Sequence, residues 1–352
     1  MGRHNKLNKG QQRRVRQNME KRLAKREAKA DIEWSAEQLG GMQSAIVISR
    51  FGQHADIETR DGEILRCNIR RTAGSLVTGD EVAFRAAPAN EKGLQGVIEA
   101  VEERRSLLTR PDAYDGIKPV AANIDQIFVV SSPLPAFSTQ IIDRYLVACE
   151  DIGIRPVIVL NKADLLDDAI RPYIEERLDV YRKIGYQVAI VSAKAESGLE
   201  QLTALMANNV SIFVGQSGVG KSSLVNAILP QADIVTADVS TNSGLGQHTT
   251  TVARLHRLEN NAALIDSPGI REFGLWHIEP ERVTWAFRDF RQFIGGCKFR
   301  DCKHLSDPGC ALQEAVAEQK LDAERLENYH RIIDSLEQST QTPVNFNKAS
   351  RT

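Results

Sequence analysis

Hydrophobic positions follow two rhythms along this chain of 352 residues. Between about residues 44 and 105 apolar residues alternate with polar ones in short runs, at 45–50, 55–60, 63–69, 81–85 and 96–102. A period of two turns one face of a strand toward a core, and Asp61-Gly62 and Gly79-Asp80 supply the turn chemistry that divides the runs. Five short strands in so small a span predict a closed barrel of the OB-fold kind, with an SH3-like barrel as the alternative topology.

From about residue 113 the rhythm changes. Continuous apolar runs at 124–131, 156–160, 188–191, 211–214 and 262–265 alternate with helical patterns at 140–151, 170–184, 198–207 and 221–229. Strands that alternate with helices predict a mainly parallel, doubly wound α/β sheet. Residues 251–258 and 262–266 read as an antiparallel hairpin at one edge of it. Beyond about residue 276 helices are interrupted by a Cys/His cluster, and 338–352 is polar and expected to fray. The expected organisation is multidomain: a basic arm (1–40), a β-barrel (44–105), an α/β domain (113–275) and a helical C-terminal domain (276–352).

Charge adds one feature to this picture. The formal net charge is −1, yet residues 1–30 carry eleven Lys or Arg against Glu20 and Glu27, leaving an acidic body behind a basic arm. Such an arm predicts local electrostatic contact with a polyanion, the alternative being a solvated tail. No apolar run approaches the length needed to cross a bilayer, and the basic start is not a secretory leader. Five cysteines at uneven spacing do not make a disulfide scaffold, so a reducing cytoplasm and no membrane partner are expected.

Candidate chemistry sits at strand ends. Gly215-Gln216-Ser217-Gly218-Val219-Gly220-Lys221-Ser222 satisfies the P-loop pattern, between a predicted strand and a predicted helix. Glycines let backbone N–H groups wrap a phosphate, and the helix N-terminus adds positive potential. Lys221 is expected to bridge the terminal phosphates and Ser222, followed by Ser223, to bring a hydroxyl to Mg2+. Asp266-Ser267-Pro268-Gly269 ends another apolar run; Asp266 there can hold Mg2+ through water, and the Gly269 N–H can meet the γ-phosphate.

Asn161-Lys162-Ala163-Asp164 follows a third strand. A carboxylate at Asp164 can accept from guanine N1–H and N2–H2, which adenine does not offer in that arrangement. Asn161 can meet the N7/O6 edge and brace the neighbouring loop, and the Lys162 stem can cover the base. Ser192-Ala193-Lys194 fits a second base-facing loop, whose backbone meets guanine O6. Taken alone, Asn-Lys-x-Asp is as well explained as a helix-capping turn; the P-loop in the same sheet favours guanine. GTP and GDP are therefore the expected ligands.

Motif order is unusual. Ordinary GTPases run P-loop, Asp-x-x-Gly, Asn-Lys-x-Asp, Ser-Ala-Lys, whereas here Asn161 and Ser192 precede Gly215 and Asp266. In a doubly wound sheet every ligand loop lies at the carboxyl ends of the strands, so a circular permutation keeps the site. Further on, Cys297-x4-Cys302-x-His304-x5-Cys310 supplies three thiolates and one imidazole, a closed tetrahedral set for structural Zn2+.

Together the basic arm, small barrel, permuted motifs and Cys-x4-Cys-x-His-x5-Cys cluster resemble the RsgA (YjeQ) family of small ribosomal subunit biogenesis GTPases, over essentially the whole chain. The resemblance implies an OB-fold, a circularly permuted P-loop GTPase domain and a C-terminal zinc-binding domain. It also implies a monomer that acts on the 30S subunit and its 16S rRNA late in maturation, with GTP hydrolysis stimulated by the subunit. Residues 236–251 then correspond to switch I, where Thr249, Thr250 or Thr251 reaches Mg2+ and the γ-phosphate, Thr250 by resemblance. Ile270 stands where Ras-like enzymes carry a water-orienting Gln, and the nearby His248 is the candidate to orient water instead. A metabolic nucleotide hydrolase or kinase would need a small-molecule acceptor site, which the sequence does not reveal. An RNA-binding protein with a relict nucleotide site is opposed by intact Asp164, Lys221, Ser222 and Asp266.

Overall fold

The computed structural model of the chain describes residues 34, 38–88, 93–112, 116–195, 197–229, 253–267, 278–305 and 307–341. The basic arm up to residue 33, 236–251 with His248 and Thr250, and Gly269 and Ile270 lie outside the described residues.

Five strands form the barrel: β1 (Met42–Phe51), β2 (His54–Thr59), β3 (Ile64–Ile69), β4 (Glu81–Ala86) and β5 (Gly96–Val101). Their order is β1-β2-β3-β5-β4, and β4 pairs back onto β1. All the pairs are antiparallel except β3 with β5. This is the five-stranded Greek-key closure of an OB-fold, which decides between the two barrel topologies the sequence allows. Inward-facing Val47, Ile57, Val82, Phe84 and Ile98 are fully buried and fill it.

A hairpin follows that the polar/apolar pattern does not predict: β6 (Leu107–Asp112) and β7 (Gly116–Ala122) form a separate two-stranded sheet. The α/β sheet then assembles β8 (Gln126–Ser131), β9 (Arg155–Leu160), β10 (Gln187–Ile190), β11 (Val210–Val214), β12 (Arg254–Arg257) and β13 (Ala263–Asp266) in the order β10-β9-β8-β11-β13-β12. The first five in that order are parallel, and β12 is antiparallel to β13. Every residue of β8 is buried, as expected of a parallel strand covered on both faces.

Helices α1 (Thr139–Ile152) and α2 (Arg171–Ile184) cover one face of that sheet, and α3 (Leu199–Met206) and α4 (Lys221–Ile228) cover the other. Ser138 caps α1 by accepting from the Ile141 N–H, and Gly153 ends it at φ +71°. The C-terminal region consists of α5 (Pro280–Ala286), a 3-10 segment (Arg288–Phe293), α6 (Ala311–Ala317) and α7 (Ala323–Gln341). Its Phe287, Phe290, Leu326 and Ile332 belong to the same buried cluster as Ile142, Leu146 and Leu178 of α1 and α2. The final helix reaches Gln341, so it includes the first four residues of the stretch expected to fray.

The β12–β13 hairpin is not a free edge. Arg254 of β12 pairs with Ser49 of β1, so the α/β sheet continues directly into the barrel. An uncovered edge strand exposes unpaired backbone groups, and here the barrel's first strand covers it. Among the described residues no helix is long and apolar enough to cross a membrane.

Candidate nucleotide site and metal cluster

All the candidate nucleotide loops leave the sheet on one side. β8, β9, β10, β11 and β13 are parallel, so Ser131, Leu160, Ile190, Val214 and Asp266 end at a common edge. The chain folds this way because apolar strands stop where Gly, Asn, Ser and Asp begin.

Asn161 is the knot of that edge. It is 1% exposed, and its Nδ2 donates to the Val219 carbonyl at 2.9 Å and the Gly220 carbonyl at 3.4 Å. Its Oδ1 accepts from the Ala193 N–H at 3.3 Å. One amide thus ties the P-loop to the Ser192-Ala193-Lys194 turn. Gly220 has φ +91°, and a Cβ on it would lie 2.4 Å from Asn161 Nδ2. Only glycine fits there.

Lys162 sits in the left-handed region at φ +61°. Its ammonium donates to the Gly218 carbonyl at 2.6 Å and the Leu134 carbonyl at 2.8 Å. The exposed Asp164 carboxylate accepts from the Ser192 hydroxyl, which in turn accepts from the Ala195 N–H at 3.1 Å. Guanine-reading candidates on two different loops are therefore held in register by Ser192.

Lys221 opens α4, and its ammonium donates to the carbonyls of Gly215 at 2.6 Å and Gln216 at 2.7 Å. That posture holds the positive charge over the loop. Gln216, Ser217, Gly218, Ser222 and Ser223 are exposed, while Val219 packs beneath them with 3% exposure. Asp266 ends β13, half-buried, beside β11. Of the candidate Mg2+ ligands, Ser222 and Asp266 are among the described residues; Thr250, like Gly269, lies outside them.

The loop after β8, at residues 132–138, escapes the motif search. Leu134 supplies a carbonyl to Lys162, and Pro135 Cδ lies 3.4 Å from where a Cβ on Gly218 would stand. Tyr145 of α1 hydrogen-bonds the backbone of Gly215. A signal for this loop does exist: it follows the carboxyl end of a parallel strand, where ligand loops gather.

The Cys/His cluster forms as the spacing predicts. The ligand atoms of Cys297, Cys302, His304 and Cys310 all lie within 4.8 Å of one another. The His304 Nδ1 is 3.5, 3.6 and 3.5 Å from the sulfurs of Cys297, Cys302 and Cys310. One ring nitrogen has a single in-plane proton or lone pair and cannot hydrogen-bond three sulfurs equally. A tetrahedral ion with bonds of about 2.3 Å to sulfur and about 2.0–2.1 Å to nitrogen has S···N edges of about 3.6 Å. The donor set therefore fits zinc. Burial lowers the His304 pKa, which favours the neutral imidazole that a metal requires. Outside the cluster, His330 Nε2 bonds the His304 carbonyl at 2.7 Å, and the Ala311 N–H donates to Cys297 Sγ at 3.4 Å.

A P-loop, a base-recognition loop that precedes it in sequence, an OB-type barrel and a Cys3His cluster define a circularly permuted GTPase. The family model for RsgA GTPase matches residues 101–276. The chain is 56% identical over 335 residues to the small ribosomal subunit biogenesis GTPase RsgA of Pectobacterium carotovorum subsp. carotovorum, covering 95% of both chains. It is 56% identical over 339 residues to the same-named protein of Yersinia enterocolitica, covering 95% of this chain and 96% of that one. Among solved structures, YjeQ from Thermotoga maritima superposes with a TM-score of 0.69 at 32% identity, covering 84% of this chain and 99% of that one. YloQ, a circularly permuted GTPase, gives 0.68 at 28% identity, with 88% and 99% covered. The chain belongs to the RsgA GTPase family, whose members are GTP hydrolases.

Proposed function

We propose that this GTPase binds the small (30S) ribosomal subunit through its 16S rRNA and assists late maturation, hydrolysing GTP to GDP and phosphate faster when the subunit is present. The observation that carries the nucleotide half is Asn161, one buried amide joining the P-loop to the second base loop. The subunit half rests on membership of the family and on relatives named for small-subunit biogenesis. The basic arm, the barrel and the C-terminal domain are the RNA-facing parts of this reading. It operates in the bacterial cytoplasm, as a monomer.

In the reaction, Asp164 accepts from the guanine edge while Asn161, Lys162, Ser192, Ala193 and Lys194 hold the loops around the base. Backbone N–H groups of 215–220 and the α4 N-terminus cradle the phosphates, and Lys221 turns from its loop carbonyls to the terminal ones. Ser222 and Thr250 are directly, and Asp266 through water, the residues that would hold Mg2+; the ion supplies neutralisation of charge on the phosphates. Gly269 offers its N–H to the γ-phosphate, and His248 orients the attacking water in place of the side chain that Ile270 lacks. Zn2+ at Cys297, Cys302, His304 and Cys310 is structural, because four protein ligands leave no open position.

GTP turnover measured with and without purified small subunits tests the proposal. Stimulation is expected. Subunit-independent turnover would favour a metabolic hydrolase, and no turnover under either condition a relict site. Within the same assay His248→Ala is expected to lower stimulated kcat by at least about tenfold, the scale of general water-positioning effects.

A further inference from the structure

Helix α1 meets the P-loop through a side chain that belongs to none of the nucleotide motifs. Tyr145, half-buried on α1, hydrogen-bonds the backbone of Gly215, the first residue of the loop. Burial raises the pKa of its hydroxyl, and the bond to Gly215 opposes that rise. A bond that favours the ionised form is one the oxygen accepts, so the Gly215 N–H is the donor. A small cavity lined by Ser131, Ser138, Tyr145, Gln216 and Val219 places the ring under the loop.

Gly215 itself has little freedom. Its φ is +144°, and a Cβ on it would stand 2.2 Å from the Val130 carbonyl of β8. Its N–H goes to Tyr145, and its carbonyl, with that of Gln216, accepts from the Lys221 ammonium at 2.6 and 2.7 Å. One residue therefore links the tyrosine hydroxyl to the ammonium that serves the terminal phosphates.

The platform behind Tyr145 is constrained as well. Asp143 of α1 contacts Arg325, Arg144 donates to the Ser335 hydroxyl at 2.9 Å, and Thr139 accepts from Asn328 at 3.1 Å, all three partners lying on α7. Ser138 and Gly153 fix the two ends of the helix. Consecutive residues 143–145 thus engage α7 with two side chains and the P-loop with the third. Covering the sheet asks for an aromatic ring at 145 and not for its hydroxyl, whose partner is the loop.

We propose that Tyr145 is a positioning residue for the phosphate site: through the Gly215 N–H it fixes the two peptides whose carbonyls hold Lys221, and so the place from which the ammonium turns to the nucleotide. Without the hydroxyl those peptides are ordered only as the phosphates bind, which costs affinity. The inference rests on reading 215–222 as the phosphate loop.

GDP titration of the full chain with Mg2+ tests it in a double-mutant cycle of wild type, Tyr145→Phe, Lys221→Ala and the double variant. Phenylalanine keeps the ring and its packing and removes only the acceptor. Tyr145→Phe alone is expected to weaken GDP about three- to tenfold, the effect of one hydrogen bond. With Lys221→Ala already present, the same change is expected to stay within about twofold, because the group it positions is gone. Equal weakening in both backgrounds would mark a tyrosine that merely supports the fold, and no weakening in the first would remove the role altogether. Either result overturns the proposal. The underlying reading fails by a different sign: GDP affinity that Lys221→Ala leaves unchanged would show that 215–222 is not the phosphate loop, whatever Tyr145→Phe does.

Discussion

Asn161 makes contacts that a motif alone does not convey. Its side chain spends both polar ends on other loops, at 2.9 Å to Val219 and 3.3 Å to Ala193, so its first task is assembly of the pocket. Gly220 makes room for that amide, which gives a sharp prediction. In Gly220→Ala the new methyl falls 2.4 Å from Asn161 Nδ2 and the residue keeps φ +91°, at a cost of about 1–2 kcal/mol for the backbone alone. GDP affinity is expected to fall at least about tenfold, since 1.4 kcal/mol is one decade, with the far-ultraviolet spectrum unchanged. Undiminished binding in a fluorescence titration would refute the assignment of Asn161 as the brace. These residue types and spacings were legible in the sequence because phosphate and guanine each demand particular donors and acceptors. The Leu134 carbonyl under Lys162 was not legible, because a backbone acceptor carries no residue preference.

At the scale of elements, the parallel strands declared themselves through unbroken apolar runs, a consequence of burial on both faces. β6 and β7 did not, since Pro111 and Pro119 interrupt them and proline argues against a strand. The hairpin β12–β13 was legible as a hairpin, but its pairing with β1 was not: Ser49 and Arg254 are about two hundred residues apart, and the single register contact leaves no periodic mark. That hairpin also carries a titratable group. Burial, aided by the Arg254 charge and opposed by Asp266, lowers the pKa of His256 below its ordinary 6.5. The unfolded chain therefore takes up the proton first as pH falls. The stabilising contribution is complete above 6.5 and is lost as pH drops through the lower folded value. Urea unfolding at pH 7.5 and 5.5 is expected to give a larger acid loss for wild type than for His256→Gln. Parallel curves for the two proteins would contradict it, and His304, present in both, cancels in the comparison.

At the scale of the whole molecule, the nucleotide domain and the C-terminal region are fastened by more than the connection through 268–277. They share one apolar cluster, and α7 drives a buried charge into the face of α1. Arg325, 3% exposed, contacts Asp143 of α1 and reaches Asp289 at 2.7 and 3.1 Å, with its guanidinium 4.4 Å over the Phe287 ring. Asp143 is fully buried and also accepts from Asn328 and from the Tyr181 hydroxyl, each at 2.8 Å. Burial pushes the Asp143 carboxyl up, and Arg325, Asn328 and Tyr181 oppose that rise. Swinging the C-terminal region away from α1 would strand these charges. Removing one partner of a buried pair costs about 3–5 kcal/mol, because the other charge is left uncompensated. Arg325→Met is therefore expected to destabilise strongly, and more than Asp143→Asn, in which Arg325 keeps Asp289. The sign with pH follows from the stranded group. Without Arg325 the Asp143 carboxyl rises further and binds a proton in the folded state more readily than in the unfolded one, so the deficit shrinks as pH is lowered from 7.5 toward 5.5. Denaturant unfolding of both variants at the two pH values checks the order and the trend together. Equal stabilities, or a deficit that grows in acid, would show that the pair is not what binds α7 to α1.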